Sequence, residues 1–164
     1  MASRVDVRFV CSMDKFYEDS WGKGARSNED GIRSYTKRMQ ERAYFKNKIR
    51  KSTAAHVSVS VRDDLAMTEV LYERGVTDSS WMAGYWPLDN KMISFDGSVS
   101  GIACDKRHDP IERRYGNRGW RCTSALSVSK HVSAKIEIYV SHLPAMPAIH
   151  QQVKQLLIDS KQTD

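Results

Sequence analysis

The stretch from Arg121 to Val140 restricts the fold more than any other. Val132, Ala134, Ile136, Ile138 and Val140 are apolar at every second position, with Ser133, Lys135, Glu137 and Tyr139 between them. A repeat of two is that of a strand, because successive side chains point to opposite faces; a helix would scatter the same set around its surface. Cys122, Leu126 and Val128 supply the apolar positions of an opposing arm. The turn falls near Ser129 to His131, so the stretch reads as a β-hairpin.

The rest of the chain divides by the same test of period. Val5 to Cys11 alternates and reads as a strand, and Asp14 to Arg26 as a helical turn followed by a loop. Ser27 or Asn28 caps a helix over about 29–51 whose apolar face is Ile32, Tyr35, Thr36, Met39 and Ala43. From Ala54 to Val61 the period returns to two, with Val57, Val59 and Val61 opposite His56, Ser58 and Ser60. Asp63-Asp64 then reads as a cap for a short helix over about 63–74, with Leu65, Met67, Val70 and Leu71 apolar and Gly75 ending it. Val76 to Asn90 reads as an aromatic-rich loop. Lys91 to Phe95 and Val99 to Cys104 read as strands meeting at Asp96-Gly97. Pro144 and Pro147 open a last helix, to about residue 160, that buries Ile149, Val153, Leu156 and Leu157. The expected fold is α+β, one domain over 1–164. It has a largely antiparallel sheet, two long helices (about 29–51 and 146–160) and one short helix (about 63–74).

Charge is the strongest functional signal. Residues 1–53 hold 13 basic and 7 acidic residues; residues 54–164 hold 13 of each. The net charge of +6 therefore sits in the first third, and from Arg33 to Lys51 eight cations face one acid. Such a run points to an anionic partner. The segment 105–121 adds six Lys or Arg with Tyr115 and Trp120. Phosphates require neutralising charge and unpaired bases require flat stacking partners. The first expectation is therefore a nucleic-acid-binding protein, of RNA or DNA, or a binder of another polyanion. Arg33, Lys37, Arg38, Lys48, Arg50, Lys51, Arg113, Arg114 and Arg118 contact phosphates in this reading, and Tyr35, Tyr44, Phe45, Tyr115 and Trp120 are the aromatic residues among them. No enzyme signature accompanies the charge, which also suits a viral or phage protein.

Two other function classes have residues to support them. His56-Val57-Ser58 and His131-Val132-Ser133 are repeated tripeptides, and on a strand each His shares a face with its Ser. The pair resembles the His-x-Ser/Thr motifs of the 2H phosphoesterase family, a resemblance confined to these two tripeptides. It implies a metal-independent phosphodiesterase with one histidine as base, the other as acid, and Ser58 and Ser133 holding phosphate oxygens. The other class is an assembly or regulatory protein that binds an acidic protein or its own copies. Trp81, Tyr85 and Trp86 would form its surface.

The remaining expectations are exclusions. Glycine-rich nucleotide loops and nucleophile elbows are missing from the sequence, so no cofactor is called for. Cys104, His108 and Cys122, with Cys11 or His131, hold ligand-type atoms, but the close cysteine pair of zinc sites is missing, so no metal is expected. Three widely spaced cysteines argue against a disulfide framework and for a reducing, cytoplasmic setting. The first residues carry Arg4, Asp6 and Arg8 without an apolar core, unlike a secretory signal, and no membrane partner is expected.

Overall fold

The computed structural model describes residues 5–11, 25–50, 56–73, 82–106, 120–128 and 132–161. Seven strands form one antiparallel sheet: β1 (Asp6–Cys11), β2 (His56–Arg62), β3 (Met67–Glu73), β4 (Met82–Pro87), β5 (Ile102–Lys106), β6 (Trp120–Ser127) and β7 (Val132–Tyr139). Their order is β1-β7-β6-β5-β4-β3-β2. Strands β2 to β7 are therefore a meander, with β1 laid along the far side of β7. Between β1 and β2 the chain passes from one edge of the sheet to the other through α1 (Asn28–Arg50). A 3-10 turn (Val140–Ala145) leads into α2 (Met146–Lys161) after the last strand.

The two helices cover opposite faces. Met67, Tyr85, Ile102, Leu126, Ile136 and Ile138 pack with Met146 and Val153 of α2 in the larger core. Val70 and Trp86 pack with Tyr35 and Met39 of α1 in the smaller one. We call these the α2 face and the α1 face. Double coverage explains the main departure from the sequence-based expectation. The short helix over 63–74 is a turn at Asp63–Ala66 followed by strand β3. Met67 and Leu71 serve the α2 core while Val70, between them, serves the α1 core. A strand buried on both faces loses its alternation, and the residual spacing mimics a helix. Ala66, at φ +52°, closes the turn, and the Arg62 guanidinium holds the Asp64 carboxylate at 2.8 and 2.7 Å. Asp64 thus pairs with its neighbour instead of capping a helix.

The same cause hid β4 inside the expected loop 76–90. Tyr85 and Trp86 are adjacent, so one enters each core, and both are 4% exposed. They are therefore not a surface for self-association or a protein partner; Trp81 lies outside the described residues. Between β4 and β5 the Asp96-Gly97 turn forms as expected, with Gly97 at φ +78°, but its arms make only the bridge Ile93–Val99. In α2 the expected burial of Val153 holds, whereas Leu156 is 69% exposed.

The α1 face is built around the Trp86 indole. Gly31 of α1, Gly84 of β4 and Gly101 before β5 line its slot: a Cβ at each would lie 2.6, 2.8 and 2.7 Å from indole atoms. Tyr35 meets the ring edge-on, with centroids 5.2 Å apart and planes at 69°. The start of α1 is tied to the same region. Ser27 Oγ accepts from the Asp30 N–H at 3.1 Å as the helix cap, and Asn28 Nδ2 donates to the Pro87 carbonyl. The Val99 N–H donates to the Ala25 carbonyl at 3.0 Å.

Cys104 and Cys122 stand opposite each other on β5 and β6 and form a buried disulfide. This overturns the expectation of three separate thiols, and the inference to a reducing compartment loses its basis, since disulfides persist in oxidising ones. The two cysteines are 18 residues apart, a spacing that carries no signal; register alone makes them neighbours. Among the described residues no helix is long and apolar enough to cross a membrane.

Three stability measurements check this account. Trp86→Ala is expected to cost about 3–5 kcal/mol in urea unfolding. Gly31→Ala is expected to destabilise by about 1–3 kcal/mol through overpacking, although alanine gains roughly 1 kcal/mol of helix propensity. Reduction of the disulfide lowers stability by about 3 kcal/mol on the loop-closure account, readable as a lower melting temperature in dithiothreitol.

Candidate nucleic-acid interface

Helix α1 divides into two unlike halves. Its first half is seated: Gly31, Tyr35 and Met39, four residues apart, are buried against the sheet. Charges in this half balance, with Glu29, Asp30 and Glu41 against Arg33, Lys37 and Arg38. Glu29 and Asp30 lie in the first turn, where the helix dipole favours acids. Arg33 is exposed and reaches Asp30 at 3.8 Å, and Lys37 is exposed. Arg38 is half-buried. Tyr35 is 4% exposed, so it is a core residue rather than a stacking platform. Residues 42–51, by contrast, carry Arg42, Lys46, Lys48, Arg50 and Lys51 and no acid. Of these, 42–50 belong to α1 and continue it by about 13 Å.

Topology puts the two strand ends that flank the second basic segment at the same end of the sheet. Residues 51–55 join the end of α1 to the start of β2 at His56, and residues 107–119 join the end of β5 to the start of β6. The pairings His56–Glu73, Tyr72–Met82, Met82–Asp105 and Lys106–Trp120 put all these strand ends on one end of the sheet. The starts of β2 and the end of β5 are three strand spacings apart, about 14 Å. The N-terminus of α1, held at Pro87, is at the other end. Lys51, Arg113, Arg114 and Arg118 lie outside the described residues, but both segments that carry them are anchored at this end. Arg121, at its border on β6, contacts Glu137 Oε1 at 3.1 Å and lies over the Tyr139 ring at 5.8 Å. Arg42 and Lys46 were not among the expected contacts; the acid-free run from 42 to 51 was the signal for them.

The other candidate sites fare differently. Ser58 lies on β2 on the α2 face, opposite Leu71. Ser133 lies on β7 on the α1 face, next to Ala134 of the opposite core. The two strands are five spacings apart, about 24 Å, so these two serines do not share a cleft. His131 lies outside the described residues. The sulfurs of Cys104 and Cys122 are bonded to each other, which removes them as thiolate ligands; His108 lies outside the described residues. Glu69 is a buried acid on the α2 face, bonded by Arg62 at 3.1 Å, and burial, then its bond to Glu69, pushes the Tyr85 phenol up. All three are engaged with one another. No protein-family model matches the chain, and comparison with curated proteins and with solved structures found no match.

One titratable group stands apart. His150 of α2 is fully buried, and neither ring nitrogen has a hydrogen-bond partner. Burial, then Lys154, lowers its pKa from 6.5 to about 4. The unfolded chain therefore takes up the proton first. Stability present above about pH 6.5 is lost as pH falls towards 4, by about 3 kcal/mol in total. His150→Leu is expected to remove that part of the pH slope, as measured by urea unfolding between pH 7 and 4.5.

Proposed function

We propose that this protein binds the phosphate backbone of nucleic acid with the end of the sheet that carries residues 42–51 and 106–121. The observation that supports the reading is that the described chain ends from which the two cation-rich segments leave, far apart in the sequence, lie at one end of the sheet. The seated half of α1 is charge-balanced and the other half is not, so the excess charge is local rather than a general solubilising coat. Tyr44, Phe45, Tyr115 and Trp120 are interleaved with these cations, which favours single strands whose bases are free to stack. Arg42, Lys46, Lys48 and Arg50 are the principal phosphate contacts, with Lys51, Arg113, Arg114 and Arg118 beside them. Arg33, Lys37 and Arg38 become secondary, because Glu29, Asp30 and Glu41 offset them.

Titration of labelled single-stranded RNA and duplex DNA over a range of salt tests the reading. The logarithm of affinity should fall linearly with the logarithm of salt, by about 0.7 per contact for single strands and 0.9 for duplex DNA. The double change Lys46→Glu/Lys48→Glu should abolish binding and flatten the slope, whereas Arg33→Glu should change little. An affinity independent of salt, or a protein that after nuclease treatment retains only an acidic protein, contradicts it.

A further inference from the structure

We propose that the outer edge of β2 pairs with the same edge of a second copy of this chain, about a two-fold axis at Val59. Strand β2 ends the sheet order among the described residues. On its α1 face Val59 is 52% and Val61 56% exposed. Edge strands are ordinarily guarded by lysine, proline or a bulge, because their free amides and carbonyls invite another strand. The run His56–Arg62 contains no lysine or proline, and its pairing with β3 is regular throughout. The opposite edge, β1, carries Asp6 and Arg8 within the strand.

The second copy is identified by the order of residues. His56-Val57-Ser58-Val59-Ser60-Val61-Arg62 reads almost the same in both directions. In an antiparallel pair centred on Val59, Val57 opposes Val61 of the second copy and Ser58 opposes its Ser60. Valines meet valines on one face and serines meet serines on the other, which a shift by one residue would undo. An axis perpendicular to the sheet leaves like faces aligned. The six valines then lie between two copies of α1, since Val57 already packs against the α1 core. Arg62 brings no unpaired charge to the seam, being bonded to Asp64 and Glu69. Such an interface is isologous and closed, and it forms a dimer rather than a fibre.

Salt separates this association from nucleic-acid binding. Each copy carries +6, so screening favours the dimer while it weakens phosphate contacts. The test uses nuclease-treated full-length protein. Light scattering across the micromolar range should show a monomer–dimer equilibrium that tightens with salt. Val59→Lys, with an unchanged circular dichroism spectrum, should raise the dissociation constant at least about tenfold, because like charges would face each other. In a Cys11→Ser background, Val59→Cys should cross-link to itself on mild oxidation, as directly opposed strand positions fall within disulfide range. Val57→Cys and Val61→Cys should each fail alone and cross-link when mixed. A monomer at every concentration, a dimer indifferent to Val59→Lys, or self-linking of Val57→Cys as fast as Val59→Cys would overturn the proposal. If Val59→Lys does not fold, the cysteine set decides.

Discussion

The Trp86 indole is the contact on which the α1 side of the molecule depends. A flat ring of this size fits between a helix and a sheet only if the backbones come closer than side chains ordinarily allow. Gly31, Gly84 and Gly101 supply that approach from three separate elements. Tyr35 then closes the slot edge-on, and its own position fixes the rotation of α1 about its axis. Because Gly31, Tyr35 and Met39 are spaced by four, one rotation seats all three. That rotation also decides which residues of the first half face outward, Arg33 and Lys37 among them.

From this seat follows the location of the charge. The start of α1 is bound to the end of β4 by Asn28, and its end must reach the start of β2 in five residues. The helix is thereby laid from one end of the sheet to the other, with the acid-free residues 42–50 on the side of the end at which β5 finishes and β6 begins. The meander itself requires that coincidence. In an antiparallel sheet every second connection emerges at the same end, and the α1–β2 and β5–β6 connections are both of that set.

The sheet is asymmetric in what it leaves open. Over β5 to β7 the α2 face is sealed by α2 and the disulfide-linked pair, with Ser94, Ser100 and Ser124 bonding the loop before β5 into the core at 3.0 Å contacts. At β2 cover runs out, and two valines of a perfectly alternating strand remain in solvent. An alternating strand normally marks one buried and one wet face. Beyond Val57 both faces of β2 are wet, the apolar one included, and a regular strand edge with exposed valines is what an interface with a second copy would use.

What the sequence by itself determined was local. The hairpin of β6 and β7, the capped helix α1 at 28–50 and the proline-opened α2 are legible because each has one apolar face, which leaves a clean period; β2 alternates just as cleanly, although beyond Val57 both its faces are open. The charge excess at 42–51 was legible for the same reason: it is a property of adjacent residues. What only the tertiary structure decided was everything with cover on two sides or partners far apart in the chain. Strands β3 and β4 were misread because two cores claim alternate residues. Tyr85 and Trp86 were read into a loop and offered as a surface in one reading for the same cause, and Cys104 and Cys122 were read as separate thiols because cross-strand register leaves no trace in spacing. That the ends carrying the two basic segments lie at one end of the sheet belongs to this second group. It depends on the direction in which α1 crosses the sheet, and a glycine-walled slot for one tryptophan helps set that direction.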